Sequence, residues 1–388
     1  MTAVARLTLR QNLAALPRPT WILFAGTFIN RFGTFVMPFL VIYLTRQGYS
    51  VAQAGFAVSA YGGGHLFASM LGGHLADAIG RRHTIALSMF ASSISTLALS
   101  QARGLPAILG IAFCVGLSAE LYRPAASALI ADLVTPEQRV TAFGVYRLAI
   151  NLGFAFGPAT AGFVADHSFH WLFIGDAVTS ALYGLVALFF LPHGQRGQTQ
   201  HESMLEGVRV AIKDRPFVLF LMATLAVTWI EFQTHSTFPI YIQDQGFSTS
   251  TYGLLLSING IMIVLFELGI TNWTQRFQAR TMIATGYALT GIGFALTGFA
   301  HSIPALALTV VVWTLGEMIY APVTGAYVAN IAPERYRGRY NGLWVMMWSI
   351  GMLLGPSLGT AIYGASPAML FVSAAALGLV AAALALRN

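Results

Sequence analysis

Apolar residues run in long unbroken stretches along this chain, and polar residues gather in the short intervals between them. A helix needs about 20 consecutive apolar residues to cross a bilayer. On that measure the stretches predict about twelve crossings, over 20–44, 52–77, 82–101, 105–131, 140–164, 169–191, 216–242, 250–274, 280–300, 304–330, 340–363 and 367–386. Several exceed the minimum length, as tilted helices do. The runs lack the period-two alternation of a barrel strand. The expected fold is therefore all-α, a polytopic membrane protein. Composition agrees: 9% of the 388 residues are charged, against about 25% in soluble domains. Mean hydropathy is +0.68.

The formal net charge of +7 is informative by position rather than by sum. In a twelve-span arrangement sixteen basic residues fall on one side: Arg6, Arg10, Arg18, Arg81, Arg82, Arg139, Arg196, Arg209, Lys213, Arg215, Arg276, Arg280, Arg335, Arg337, Arg339 and Arg387. Only Arg46 and Arg103 fall on the other, and Arg31, Arg123 and Arg147 lie inside spans. Basic residues accumulate on the cytoplasmic side. The expectation is a multi-pass inner-membrane protein with both termini and the central loop cytoplasmic, and no call for a nucleic-acid partner. The first eighteen residues hold no apolar core ahead of Pro17 and Pro19, so the first span is read as its own insertion signal. The single cysteine, Cys114, rules out an intrachain disulfide.

The two halves repeat each other at a constant offset of 198 residues (241 − 43). Tyr43, Gln47, Gly48, Ser50, Gly55, Ser59 and Gly62 recur as Tyr241, Gln245, Gly246, Ser248, Gly253, Ser257 and Gly260. The same shift joins Tyr122 to Tyr320, Pro124 to Pro322, Arg139 to Arg337 and Gly157-Pro158 to Gly355-Pro356. A repeat this long is a duplicated six-helix bundle, related by an axis along the membrane normal because six is even. The predicted organisation is one bundle over 1–191, a linker over 192–215 and a second bundle over 216–388. Within the linker, Met204, Leu205, Val208, Val210 and Ile212 mix with Glu202, Glu206, Arg209 and Lys213, which reads as a short surface helix.

Between the second and third spans lies Gly73-His74-Leu75-Ala76-Asp77-Ala78-Ile79-Gly80-Arg81-Arg82. It resembles the G-x-L-A-D-x-x-G-R-R loop signature of the major facilitator superfamily, and with the repeat the resemblance covers essentially the whole chain. Gly73 suits close helix approach and Gly80 a tight turn. Asp77 can meet a neighbouring helix N-terminus, while Arg81 and Arg82 can pair with an acid such as Asp132. The resemblance implies that this cluster latches the halves in an outward-open state. The second copy has Gln275, Gln278 and Ala279 in place of Asp77, Gly80 and Arg81, so the latch is expected on one side only.

Gly153-x-x-x-Gly157-Pro158-x-x-Ala161-Gly162 resembles the family's antiporter motif in the fifth span, with Ala161 where glycine is usual. Its twin is Gly351-x-x-x-Gly355-Pro356. Such spacing forms a groove for a partner helix, and proline bends the span; within the family the motif accompanies export by exchange. The arginine that many drug/proton antiporters carry four residues before Gly116 is Ala112 here.

Ionisable side chains inside spans are costly and mark function by default. Glu231 and His235, four apart, are the leading candidates for carrying a proton, since histidine titrates near neutrality; Glu120 and Glu317 complete the proton-coupling set. Glu120 and Arg123 share a helix face. Asn30, Arg31, Arg123, Arg147, Tyr61, Trp229, Tyr320 and Trp344 are candidate substrate contacts. His167 and His170 have no third ligand nearby in sequence, so no metal site is expected; no cofactor beyond the coupling proton is expected either. No nucleophile, phosphate loop or dinucleotide turn points to an enzyme. The resemblance implies a monomeric secondary transporter, proton-coupled and exporting small amphipathic or cationic compounds by rocker-switch alternating access. The alternative is a carrier of anionic or zwitterionic metabolites or lipids held by Arg31, Arg123 and Arg147.

Overall fold

A computed structural model describes residues 13–194 and 204–387. Arg6, Arg10, Arg196 and Glu202 lie outside the described residues. The spans are α1 (Arg18–Arg46), α2 (Val51–Ala78), α3 (Arg81–Gln101), α4 (Leu105–Leu133), α5 (Arg139–His167), α6 (Phe169–Phe190), α7 (Arg215–His235, continuing as Thr237–Asp244), α8 (Thr249–Thr274), α9 (Ala279–Phe299), α10 (Ile303–Ile331), α11 (Arg337–Ala365) and α12 (Pro367–Leu386). Eleven are long and apolar enough to cross a membrane. The remaining one, α2, is 28 residues long and carries a run of glycines together with His65 and His74. The linker contains the helix Met204–Lys213, packed against α7 and α11.

The duplication holds to the residue. α4 and α10 begin and end 198 positions apart, as do α5 and α11. The 3-10 turns before them, Pro136–Gln138 and Glu334–Tyr336, obey the same shift. Ser50 and Ser248 each accept a backbone N–H to cap α2 and α8. Gly48 and Gly246, at φ of 89° and 79°, make the turns ahead of those caps, a left-handed conformation that costs glycine little.

Buried apolar residues fall into three clusters, and their partition explains the shape. One joins both bundles: Phe39, Ile42 and Val58 share it with Phe238, Tyr252 and Tyr363. The second lies within the first bundle around Leu23, Ile85, Tyr122 and Leu129, and the third within the second bundle around Phe217, Ile283, Tyr320 and Val328. The halves are thus fused near the face carrying the 47–50 and 245–248 turns. Towards the basic face, which carries the Gly80 turn, each half has its own core. Across the fused face α5 packs on α8 and α2 on α11.

Glycines set these crossings. An added Cβ at Gly153 would sit 2.6 Å from Arg31 Cβ, and one at Gly157 2.6 Å from Phe32 O, so both let α1 lie against α5. Gly162 opens the other side of α5 to α8, where Thr249 O is 2.8 Å from the same hypothetical atom. The twins behave alike: Gly351 admits Thr228 of α7, and Gly355 faces Phe232 and Trp229 of α7. Gly62 gives the same clearance for Met352 of α11. Gly73 departs from expectation, with open space where its Cβ would be. The close approach belongs to its neighbour Gly72, 2.5 Å from Leu121 O on α4. Helical rotation turns one glycine of the pair inward and its neighbour out.

The loop signature is an assembly within the first bundle. Gly80 takes φ 91° to make the turn. Arg81 pairs with Asp77 at 3.5 Å and with Asp132 of α4 at 3.2 Å. All three belong to one half, so these contacts do not tie the halves together on the basic face.

Two spans predicted as continuous are broken, at equivalent places. α1 breaks over Gly33–Phe35, where the backbone N–H groups of Phe35 and Val36 both donate to Asp176 Oδ2 at 3.1 Å. α7 passes through a 3-10 turn, Phe232–His235. There the Gln233 amide donates to Trp229 O and Gly355 O at 2.8 and 3.0 Å, and accepts from the Ser236 and Thr237 hydroxyls. Backbone groups freed inside a membrane must find partners, and these side chains provide them.

A matched pair of hydrogen bonds fastens the halves at the fused face. Ala159 N donates to Ser257 Oγ and Ser357 N to Ser59 Oγ, both at 3.0 Å. Donors and acceptors are each 198 residues apart, and each donor follows a motif proline, Pro158 or Pro356. Asp166 at the end of α5 adds bonds to Thr249 N and Ser250 N at 3.0 and 3.2 Å. Each neutral bond is worth about 1 kcal/mol. The Ser59→Ala/Ser257→Ala double variant is therefore expected to raise the fraction open at this face roughly tenfold or more. Spin-label distances between the nearby ends of α5 and α8 will read it.

Candidate functional site

Between the separate cores lies a cavity of about 630 Å³, lined by both halves. Its walls differ in charge chemistry. On the first-bundle wall, Arg31 Nη2 donates to Glu120 Oε1 at 3.0 Å, and Arg31 Nε to the Tyr122 hydroxyl at 3.0 Å. Arg123 Nη1 donates to Glu120 Oε2 at 3.2 Å, with His65 Nε2 at 3.6 Å from the same oxygen. Glu120 and Arg123 meet as their three-residue spacing implied. One buried carboxylate thus serves two guanidinium groups. Arg31 is almost enclosed, whereas half of the Arg123 side-chain surface stays open.

On the second-bundle wall, Glu231 Oε1 accepts from the Tyr320 hydroxyl at 3.1 Å, and Glu317 Oε2 accepts from Asn259 Nδ2 at 2.8 Å. Neither carboxylate makes an ion pair among the described residues. The 198-residue shift shows why. Tyr320 stands where Tyr122 does, but the position of Arg31 is held by Trp229 and that of Arg123 by Ala321. The scaffold was duplicated and the cations were not. Trp313, Trp344, Trp348 and Phe232 supply apolar wall beside the acids.

All four proton candidates, Glu120, Glu231, His235 and Glu317, line the cavity. His235 does not pair with Glu231. The turn they share is 3-10 rather than α, which rotates residue i+4 away from residue i. Of the eight candidate substrate contacts, Arg31, Tyr61, Arg123 and Trp344 line the cavity. Asn30 does not; its amide donates to Ser180 at 3.3 Å within the first bundle. Trp229 is buried in the core shared by the two bundles, and Tyr320 is buried behind Glu231. Arg147 crosses to Glu267 of α8, joined there by Asn151 Nδ2 at 3.5 Å. That ion pair between halves removes Arg147 from the cavity wall, and it gives Glu267 a partner.

Two participants escape sequence reading, and the task of a third does. Asn259 and Trp313 carry no charge and so drew no notice, although Asn259 lies 198 positions after Tyr61, another cavity residue. Asp176 was visible as an acid, but its task of holding the α1 break depends on a fold contact 140 residues away in sequence.

A family model described as Major Facilitator Superfamily matches residues 23–266 and 234–388. The chain is 23% identical to a Na(+), Li(+), K(+)/H(+) antiporter of Planococcus maritimus, over 85% of each chain. It is 24% identical to the quinolone resistance protein NorA of Staphylococcus aureus, over 84% of this chain and 85% of NorA. A crystal structure of a mutant of the nucleoside transporter NupG superposes with a TM-score of 0.82, covering 95% of this chain and 98% of that one at 16% identity; this likeness concerns the fold.

Removing Glu120 would leave two guanidinium groups facing each other without a counterion. Breaking a buried pair from one side costs about 3–5 kcal/mol, so Glu120→Ala is expected to lower the thermal unfolding midpoint in detergent markedly. Adding Arg31→Met to Glu120→Ala is expected to recover part of the loss, which the same melting experiment checks.

Proposed function

The chain belongs to the major facilitator superfamily, and from that premise we propose that this transporter exchanges protons for small amphipathic compounds bearing a cationic group, exporting them by rocking of its two halves. The observation that carries this reading is the pair Glu231 and Glu317: two partly buried carboxylates on one wall, each hydrogen-bonded, and neither ion-paired among the described residues. Unpaired charge in a low-dielectric wall is costly. A bound proton relieves it, and so does an ammonium group of cargo. The two relieve the same charge, and this competition makes them exchange rather than travel together.

The basic face is the cytoplasmic one by its arginine content. The cavity then opens to the cytoplasm, and the fused face seals it from outside. Cytoplasmic cargo displaces protons from the acid wall; the halves rock; protons arriving from outside displace cargo. The loop signature stays assembled in the first bundle until the basic-face ends close. Trp313, Trp344 and Trp348 offer aromatic faces to the cargo body, a favourable setting for a cation. The names of the two relatives, a cation/proton antiporter and a quinolone resistance protein, support exchange and export. Of the arginines weighed for an anion carrier, Arg31 is held by Glu120 and Tyr122, and Arg147 by Glu267.

In proteoliposomes under an imposed pH gradient, Glu231→Gln and Glu317→Gln are each expected to cut gradient-driven transport of an amphipathic cation by at least about tenfold. Cargo–cargo exchange without a gradient should survive better than gradient-driven flux. Gradient-driven transport that persists unchanged in both variants removes these acids from the coupling role.

A further inference from the structure

We infer that the transported compound is bipolar: besides the cationic group met by the acid wall, it carries an anionic group, a carboxylate or an equivalent oxyanion, that Arg123 binds. This inference rests on the exchange reading above and names the cargo class for the same cavity.

The first-bundle wall holds more cation than it neutralises. Arg31 and Arg123 share the single carboxylate of Glu120, and the third group near that carboxylate, His65, adds no negative charge. The other acid of this half that is close by, Asp176, accepts the backbone N–H groups of Phe35 and Val36 and lines a small cavity with Arg31, but it is in ion-pair contact with neither arginine among the described residues. Arg147 and Glu267 cancel one another away from the wall. Two guanidinium groups thus have one carboxylate within ion-pair distance among the described residues.

Geometry says which of the two is open to the cavity. Arg31 spends Nη2 on Glu120 and Nε on Tyr122, and its side chain is 9% exposed. Arg123 makes one hydrogen bond, through Nη1, and its side chain is 50% exposed while lining the cavity. A guanidinium fork with donors to spare matches a carboxylate. On the other wall Glu231 and Glu317 are ion-paired with no residue among those described. Charges of opposite sign on the two walls, with tryptophan beside the acids, fit an aromatic body with an ammonium at one end and an oxyanion at the other. A purely cationic cargo would satisfy the acids and leave the exposed donors of Arg123 without an acceptor.

The test uses three compounds with one body: 4-(4-aminobutyl)benzoate, its methyl ester, and 4-butylbenzoate. Binding to the purified full chain in detergent is read by quenching of tryptophan fluorescence. The zwitterion is expected to bind at least about tenfold more tightly than either relative, the size of one charge-assisted contact. Arg123→Gln is expected to bring the zwitterion down to the level of the ester while leaving the ester itself unchanged. Arg123→Lys, which keeps the charge beside Glu120, is expected to restore part of the preference and serves if the glutamine variant does not fold. An ester that binds wild type as tightly as the zwitterion overturns the inference, as does an Arg123→Gln variant that weakens both equally. If the ester exchanges for protons in proteoliposomes and the zwitterion shows no preference, only this inference falls. If neither exchanges for protons, the proposed function falls.

Discussion

A charged group in hydrocarbon must be answered by another charge, a proton or water, and the two halves of this protein meet that demand differently. In the first bundle the answer is built in: Glu120 is held by Arg31 and Arg123. In the second bundle Glu231 and Glu317 receive, among the described residues, neutral donors from Tyr320 and Asn259. Everything distinctive about the site follows from this difference. One wall sets two guanidinium groups against one carboxylate, and the other sets two carboxylates against neutral donors. A scaffold that repeats itself to the residue has been made functional by letting its charges diverge.

The repeat also governs how the structure can move. Three apolar cores divide the molecule into a joined face and two separate ends. Beside the shared apolar core, the joined face is held by hydrogen bonds and glycine-permitted backbone approaches, neither of which is individually strong. The Ser59 and Ser257 bonds, the Asp166 bonds to α8 and the Tyr252 hydroxyl near Pro38 O (3.1 Å) can all be released without stranding a charged pair. Strong ion pairs lie mainly inside the first half, at Glu120 and Arg81. Such a division suits rigid halves that exchange weak contacts at one face for weak contacts at the other. Among the described residues the Arg147–Glu267 pair spans the halves, on α5 and α8, which pack against each other across the joint.

Much of this was legible in the chain because it rests on period and composition. Span number, the 198-residue duplication and the glycine crossings at Gly153, Gly157, Gly162 and Gly351 are one-dimensional signals with direct structural meaning. The breaks in α1 and α7 were not legible, since hydropathy does not register a freed N–H or C=O, and the side chains that answer them, Asp176 and Gln233, lie on helix faces that sequence cannot orient. Spacing rules failed where the helix type changed, as at His235. They failed again where neighbours compete for one face, as with Gly72 and Gly73. Arg147 was a reasonable substrate ligand by position; only the fold shows Glu267 opposite it. Asn259 illustrates the general blind spot, an uncharged partner that matters because of the acid beside it.

Proton release on cargo binding bears most directly on the unpaired acid wall. Purified protein in weakly buffered detergent solution near neutral pH is mixed with an amphipathic cation while free protons are followed with a pH indicator. Protons are expected to appear in the medium as the cation binds, and to be lost in the Glu231→Gln/Glu317→Gln double variant. Binding without proton release, or release that survives in the double variant, would contradict the competition on which the exchange depends.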